Sequence, residues 1–335
     1  MPLPFLAIAA IAGSAALGLG KSAKAAYDQH DAKETNSSAQ YKIECATKKI
    51  EKSRAASGDA VTNLGSCKVE ILENSIKPFI ETFEKLHSVD LSESEGLSEL
   101  NKFKIDKQSF AELKELQLMA SSIAGGVASG ATLGALTAFG AYNGVMAFAT
   151  ASTGTAIASL SGAAATNATL AFLGGGIKAA GGLGIAGGSA VLGGLIAGPA
   201  LAVIGIVAGA KAKANRDEAY SNYAKAKKFE EEMEAASSLC KGILMRANMF
   251  SRLLIKLDLI FKPLLNTMNQ IIETSGTDYS KFTDEEKKSV AAAMSIAGAI
   301  KAVLDTPILT QEGNLTPESE KLTYSIKKVI EQHNG

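Results

Sequence analysis

The chain has 335 residues, and its 34 lysines and arginines balance its 34 aspartates and glutamates, so the formal net charge is zero. This balance gives no electrostatic reason to expect a nucleic-acid partner. The charges are unevenly spread, because the 95 residues from Leu116 to Ala210 contain one charged side chain, that of Lys178.

The first predicted element is an apolar segment at residues 1–26, which ends in Lys21 and Lys24. Its apolar run, Leu3–Gly20, is only 18 residues long and is therefore a marginal membrane span. The lysines follow the run instead of preceding it. This order favours a segment whose C-terminal end faces the cytosol over a cleaved secretory signal.

Residues 27–115 are predicted to form amphipathic helices with lysine and glutamate on their exposed faces. Apolar residues recur there at steps of three and four. Gly58 is expected to divide this region into two helices, and Pro78 is expected to bend the second. Val89–Asp106 is polar and irregular and is predicted to be a loop.

The region from 116 to 210 is predicted to interact with a membrane. It holds 21 of the 32 glycines, many of them four residues apart, and such spacing lets membrane helices pack backbone to backbone. Ile185–Ala210 is the strongest candidate span and Thr153–Leu173 a weaker one, which together make a helical hairpin with its tip at Lys178. The glycines expected to pack this hairpin are Gly184, Gly188, Gly194, Gly198, Gly205 and Gly209.

Basic residues on both sides of this region predict its orientation. Lys211 and Lys213 follow it, and four lysines precede it between residues 102 and 114, so both ends are expected on the cytosolic side. An even number of crossings is then required, which a hairpin provides. Leu118–Ala149 is expected to be a third apolar helix, packed on the hairpin or lying along the membrane interface.

Residues 211–275 are predicted to form a long heptad helix, and residues 276–335 a C-terminal helical region. The apolar repeat of the long helix averages 3.5 residues, which keeps one seam facing a partner helix. The helices of residues 27–115 are the simplest partner, and a dimer is the alternative. The seam consists of Phe229, Met233, Ala236, Cys240, Ile243, Ala247, Phe250, Leu254, Leu257, Phe261 and Leu264.

The C-terminal region has clear helix signals. Thr283 and Glu286 have capping-box spacing and begin a helix predicted to run through Leu304. Thr316 and Pro317 then predict the N-cap and first turn of a last helix. The predicted fold is all-α: a bundle or coiled-coil-like stalk of long helices that flanks a Gly/Ala-rich apolar hairpin.

The chemistry-bearing residues do not form a catalytic constellation. The three cysteines and three histidines lie far apart and lack metal-ligand spacing, so we expect no metal, no cofactor and no enzymatic activity. Buried, inert thiols are favoured for the cysteines over a redox sensor or an intermolecular disulfide. The histidines are expected on solvated helix faces.

Two glycine motifs resemble nucleotide-binding sequences, but we expect no nucleotide. Ala15–Ser22 fits a loose phosphate-loop pattern, yet the residues before it favour a helix over the strand that such a loop follows. Gly182–Gly187 spells GxGxxG without an acidic residue about 20 positions later. Gly20–Lys24 and Gly209–Lys213 instead repeat one pattern, in which an apolar segment ends in two lysines, typical of a membrane exit.

Five stretches carry a resemblance to known proteins: FAELKELQLMASS (Phe110–Ser122), ATASTGTAIASLSGAAATNATLAFLGGG (Ala149–Gly176), AGPALAVIGI (Ala197–Ile206), RANMFSRLLIKLDLIF (Arg246–Phe261) and GTDYSKFTDEEKK (Gly276–Lys288). They resemble a widespread bacterial family of glycine-zipper proteins, and this likeness implies no catalytic residue. More loosely, and in architecture instead of motif, the arrangement is similar to colicin-type pore domains, apolipoprotein L and helical pore-forming toxins, which hide an apolar hairpin inside a helical bundle.

From these patterns we expect a non-enzymatic helical protein that associates with a lipid bilayer or inserts into it conditionally, and that forms pores or remodels membranes. The expected location is the cytoplasmic side of the bacterial inner membrane, alongside a soluble form, with a homo-oligomer or a helical protein as a further partner. The alternative is a soluble scaffold or adaptor in which the glycine-rich helices are a buried core.

Overall fold

The computed structural model describes residues 19–87, 89, 106–128, 136, 139–141, 216–310 and 314–333, and most of them are helical. These residues contain no β-strand, which confirms the predicted all-α fold for this part of the chain. The elements are α1 (Leu19–Ile71), a π-helical turn (Leu72–Ile76), α2 (Lys77–Phe83), α3 (Lys107–Ala128), α4 (Arg216–Ser275), a 3₁₀ turn (Tyr279–Lys281), α5 (Asp284–Asp305) and α6 (Pro317–His333).

The chain divides into two compact units, and α1 and α4 each contribute to both. Unit 1 comprises Met1–Glu51 and Gly198–Ala236. Unit 2 comprises Lys52–Ala197 and Ser237–Gly335, and its described part contains the main apolar core. The two units are described separately below.

Helix α4 has 60 residues, which corresponds to a length of about 90 Å. Asp217 and Glu218 lie in its first turn, where acidic side chains interact favourably with the helix dipole. The predicted seam is largely buried from Phe229 to Phe261, which confirms the heptad prediction. Beyond Pro263, burial moves to Leu265 and Met268, because 3.6 residues per turn drifts against a 3.5-residue repeat.

The predicted helix break at Gly58 is wrong, because α1 runs through this residue without interruption. Gly58 is exposed, and a Cβ atom built there would meet nothing within 4 Å. Glycine weakens a helix interior by roughly 1 kcal/mol relative to alanine. The residues that follow it in α1, such as Ala60, Val61 and Leu64, are buried in the core, and their packing offsets that cost.

Replacing Gly58 with alanine should therefore stabilise the protein by about 0.5–1 kcal/mol, since the methyl group has free space and reduces the entropy of the unfolded chain. Urea unfolding followed by far-UV circular dichroism would measure the change. A lower midpoint for Gly58→Ala than for the wild type would show that this glycine has a conformational role that the structure does not reveal.

The structure places a π-helical turn, Leu72–Ile76, immediately before the predicted bend at Pro78. Pro78 lacks an amide hydrogen, so the α-helical hydrogen bond that this residue would donate is missing. The amide of Lys77 donates to the carbonyl of Leu72, five residues earlier, which is the π-helical pattern. The extra residue in this turn places Ser75 and Ile76 in the core.

Helices α1 and α4 run in the same direction in unit 2, and α3 runs against them. Hydrogen bonds join Ser53 to Ser237 and the Cys67 thiol to the carbonyl of Ser251, two pairs that are each separated by 184 positions, so the two helices advance together. For α3 the order is reversed, since Lys114 contacts Glu84, after α2, whereas the later residue Ser121 contacts Glu73, before α2. Parallel neighbours require a long connection, and residues 84–215 make it.

The C-terminal signals are confirmed with one difference. The side chain of Thr283 accepts a hydrogen bond from the amide of Glu286, and the Glu286 carboxylate accepts one from the amide of Thr283, which completes the capping box of α5. Helix α6 begins at Pro317, as predicted. The hydroxyl of Thr316, however, donates to the carbonyl of Pro307 and so ties α6 to the end of α5.

Helix α3 begins at Lys107, earlier than the apolar helix predicted at Leu118–Ala149. Its inner face is buried in unit 2, where it joins the core formed by α1, α2, α4 and α5. The described beginning of the uncharged region therefore packs inside the helical bundle. The buried apolar side chains of this described part, with Leu113 just before it, are Leu113, Leu116, Met119, Ala120, Ile123, Leu136, Phe139 and Ala141.

Candidate functional site

In unit 1, the beginning of α4 lies beside the beginning of α1. The guanidinium of Arg216 contacts the carboxylates of Asp28 and Asp31 at 3.2 and 3.1 Å, and the hydroxyl of Tyr220 also donates to Asp31. The pKa of Arg216 is raised, first by its hydrogen bond with Tyr220 and then by the two aspartates. A charged residue thus ties the first turn of α4 to α1.

Polar pairs continue along unit 1 and set the alignment of the two helices. The side-chain amide of Asn222 donates to Asn36 at 3.1 Å, and both residues are buried. Buried asparagine pairs between helices select one alignment over others, because a shift leaves them without partners. Further pairs are Lys42 with Glu230 at 2.6 Å and Lys49 with Glu234 at 2.8 Å.

All of these pairs in unit 1 join residues 185 to 189 positions apart. The two predicted membrane exits in the sequence, Gly20–Lys24 and Gly209–Lys213, are separated by 189 positions. The offset of the parallel pairing is therefore within four positions of the offset of the repeated motif. This correspondence was not visible in the sequence, because nothing in it indicated which residues of α1 and α4 face each other.

Most predicted site residues lie outside the part of the chain that the structure describes. These are the hairpin glycines Gly184, Gly188, Gly194, Gly198, Gly205 and Gly209, the hairpin tip Lys178, and the exit lysines Lys211 and Lys213. Lys21 and Lys24 lie in the first turns of α1, and only their backbone is described. Among the described residues, no helix meets the length and hydropathy of a membrane span.

Within unit 2, a short segment of the uncharged region packs against the helices. Leu136, Phe139, Gly140 and Ala141, together called the docked segment, are all buried. The carbonyl of Ala141 accepts hydrogen bonds from the amides of Ile308 and Leu309 at 3.0 and 3.3 Å. The docked segment is thus held by backbone hydrogen bonds to the connection between α5 and α6.

The docked segment crosses α1 at a pair of glycines, Gly65 and Gly140. A Cβ atom on Gly65 would lie closer than 3.0 Å to the carbonyl oxygen of Leu136, and one on Gly140 equally close to that of Val61. Only glycine permits such close backbone contact. Gly140 lies in the region 116–210 that is predicted to interact with a membrane, whereas here it packs against α1 inside the bundle.

The side chain of Lys68 in α1 is completely buried beside the same segment. Its ammonium donates to the carbonyl of Phe139 at 3.0 Å and lies 5.6 Å from the centre of the Phe139 ring. Burial lowers the pKa of Lys68 from 10.5 to about 7, against the opposing attraction of Asp305 and then Cys67. A lysine that titrates near neutral pH is unusual and is a candidate functional group.

An ion-paired cluster lies around Asp305, the carboxylate whose attraction opposes the lowering of the Lys68 pKa. Lys301 of α5 contacts Asp305 at 2.5 Å and Glu112 of α3 at 2.8 Å. Burial alone would lower the pKa of Lys301, but its hydrogen bonds to these two carboxylates outweigh that effect and raise it. The pKa of Glu112 is lowered, mainly by its hydrogen bond from Lys301. The cluster joins α3 to α5.

Sequence reasoning missed both Lys68 and Gly65, although one signal was present. Lys68 lies four residues from Leu64 and four from Leu72, which are both fully buried. A lysine between two core positions on one helix face is expected to be buried or to snorkel to the surface. The short distance from its ammonium to Phe139, 71 positions away in the sequence, shows that it is buried.

The cysteines only partly match the prediction of buried thiols. Cys240 is buried, Cys67 is half-buried and Cys45 is exposed, so the prediction is wrong for Cys45. Cys45 is exposed because it lies on the outer face of α1, whereas its neighbour Ala46 faces the core. Burial, followed by the nearby Glu70 and Asp258, raises the pKa of the Cys67 thiol to about 11, which makes it unreactive at neutral pH.

The described histidines do not belong to a group of potential metal ligands, and comparison with known proteins gives no lead. His30 and His87 are exposed, and His87 follows α2 instead of lying within a helix. No group of three or more potential metal ligands occurs among the described residues. No family model, curated protein or solved structure matches the chain. The resemblance to glycine-zipper proteins therefore remains a prediction.

Proposed function

We propose that this chain is a non-enzymatic helical protein that associates with a lipid bilayer at the end of unit 1 where α1 and α4 both begin. The observation that carries the proposal is the contact of Arg216 with Asp28 and Asp31. The apolar N-terminal segment leads into α1, and the uncharged region leads into α4. Parallel pairing of these helices in unit 1 brings the two junctions to the same end.

Chain length limits how far the two apolar segments can diverge. Ala210 is six residues before Arg216, a distance that an extended chain spans in at most about 22 Å. Gly20 precedes Asp28 by eight helical residues, which corresponds to about 12 Å. The ends of both apolar segments therefore lie within a few tens of ångströms of the Arg216 contact, which allows both segments to enter the same membrane face.

The lysines that follow the two apolar segments also favour a lipid bilayer as the partner. Lys21 and Lys24 follow the first apolar segment, and Lys211 and Lys213 follow the second. Lysines beside an apolar segment extend toward anionic headgroups, and each contributes about 1 kcal/mol near such a surface. A bacterial inner membrane, met from its cytoplasmic side, provides anionic lipid on the side that these lysines predict.

Vesicle flotation tests this proposal. We expect the purified wild-type protein to float with vesicles that contain phosphatidylglycerol, and the Gly194→Lys/Gly198→Lys double variant to remain in the aqueous fraction. The matched control is Gly58→Lys, which places the same side chain on an exposed face of α1 with open space around it. The control variant should float like the wild type.

Two outcomes of this experiment would contradict the proposal: a wild-type protein that never floats, and a double variant that floats as well as the control. Release of an encapsulated dye distinguishes modes of association. Pore formation predicts release by the floating protein, whereas simple anchoring predicts flotation without release.

A soluble scaffold is the second candidate, and the docked segment favours it. This segment and the inner face of α3 show that the described beginning of the uncharged region is buried protein core. Met245, Ile255 and Leu259 of α4 are exposed, with Leu259 66% exposed, and a helical partner of a scaffold would cover them. The scaffold hypothesis predicts no flotation for any variant and partner binding that is lost in Leu259→Lys.

A further inference from the structure

Helix α4 has an uneven distribution of charge along its length. Asp217–Glu234 contains six acidic residues, whereas Ala235–Ile272 contains five basic residues and one acidic residue, Asp258. The carboxylate of Asp258 is directed inward, where it accepts a hydrogen bond from Ser75 and pairs with Lys262 at 2.7 Å. The exposed face of this part of α4, which lies in unit 2, is therefore basic.

Four of the five basic side chains lie along one exposed line of α4. At 3.6 residues per turn, their positions around the helix lie within about 60° of this line. The fifth, Arg246, is directed toward α6, where it contacts Glu320 at 3.5 Å. The four exposed basic residues are Lys241, Arg252, Lys256 and Lys262.

Three apolar side chains are exposed along the same line. Met245 is 69% exposed, Ile255 51% and Leu259 66%. Together with the four basic residues they form what we call the basic stripe, which is about 32 Å long. No acidic side chain of α4 is exposed between its two ends. Apolar and basic side chains on one helix face are typical of helices that bind the surface of anionic membranes.

We propose that the basic stripe binds the surface of an anionic lipid bilayer, with its apolar side chains below the headgroups and its basic side chains among the phosphates. The inference rests on the proposed function, because that function brings α4 to a bilayer through the uncharged region that precedes this helix. It goes beyond that function by giving unit 2 a lipid contact of its own.

The charge of the basic stripe selects this occupant. An anionic surface attracts all four basic side chains at once, and the acyl chains below it accept the three apolar ones. An acidic helix of a partner protein would also match the charge, but it would need side chains that fit between those of the stripe. A fluid bilayer meets the same side chains without a preformed complementary surface.

A single tryptophan tests the contact directly, because the chain contains none. In Leu259→Trp, vesicles of phosphatidylglycerol with brominated acyl chains should quench the emission and shift it to shorter wavelength. Brominated phosphatidylcholine vesicles, which are zwitterionic, should quench it less. Tyr324→Trp is the matched control, because Tyr324 of α6 lies in the same unit and is also 66% exposed, with Glu320 and Lys328 one turn to either side. Its emission should remain unquenched.

Removal of charge tests the basic side chains. Each basic residue close to an anionic membrane strengthens binding roughly fivefold, so the loss of three should weaken binding to phosphatidylglycerol vesicles about 100-fold. Flotation over a series of lipid concentrations measures this change. The stripe variant combines Lys241→Gln, Arg252→Gln and Lys256→Gln. The control variant removes the same charge from exposed positions of α6 and should bind as the wild type does; it combines Lys321→Gln, Lys327→Gln and Lys328→Gln.

The outcomes separate this inference from the proposed function. Flotation without quenching of Leu259→Trp contradicts the stripe contact alone and favours an acidic helical partner for the stripe. Equal quenching of Leu259→Trp and Tyr324→Trp, or equal weakening in the two charge variants, also contradicts it. Flotation that persists in Gly194→Lys/Gly198→Lys but is lost in the stripe variant supports the stripe and contradicts the proposed function. A wild-type protein that never floats contradicts both.

Discussion

Replacing Phe79 with alanine should lower the free energy of unfolding by about 3–5 kcal/mol, the largest effect that we expect from a single substitution. Phe79 is completely buried in unit 2. Its ring centre lies 5.5 Å from that of Phe261, 5.8 Å from that of Phe83 and 6.4 Å from that of Phe110. These contacts join α2 to α3 and α4, so truncation would leave a cavity between three helices.

Phe83→Ala provides the matched control, because Phe83 is in the same helix and the same aromatic cluster but is only half-buried. Its free energy of unfolding, measured by urea unfolding followed by far-UV circular dichroism, should fall by clearly less than that of Phe79→Ala. Equal losses for the two variants would show that Phe79 does not have the central position in the core that its burial indicates.

Gly140→Ala should lower the free energy of unfolding by about 1–3 kcal/mol, because the new Cβ atom would clash with the backbone of α1. Rotation of a side chain cannot relieve this clash. The same loss is expected for Gly65→Ala, which faces the docked segment from the other side. Since both substitutions disrupt the same contact, the free energy of unfolding of the double variant should fall by less than the sum of the two single decreases.

Gly58→Ala is the control for these glycine variants, since it adds the same methyl group to α1 in open space. The expected effects have opposite signs: stabilisation at Gly58, and destabilisation at Gly65 and Gly140. Hydrogen exchange of Ile308 and Leu309 should show reduced protection in Gly140→Ala, because their acceptor lies in the docked segment. A stable Gly140→Ala variant with full protection at these amides would mean that the close crossing is absent in solution.

Features with short sequence separation were predicted well. The capping box of α5 involves residues three positions apart, and the seam of α4 repeats every three or four residues. Such patterns depend on helix geometry alone. The error at Gly58 arose because a local preference of about 1 kcal/mol was given more weight than the packing of the turns around it.

The sequence by itself determined the all-α class, the long heptad helix and the strong segregation of charge, because periodicity and composition act along the chain. Only the tertiary structure decided which glycines touch, which lysine is buried and that α1 and α4 run in parallel with an offset of 184 to 189 positions. These facts depend on contacts between residues tens to hundreds of positions apart. Burial, and with it the pKa of Lys68, is a property of those neighbours and not of the residue.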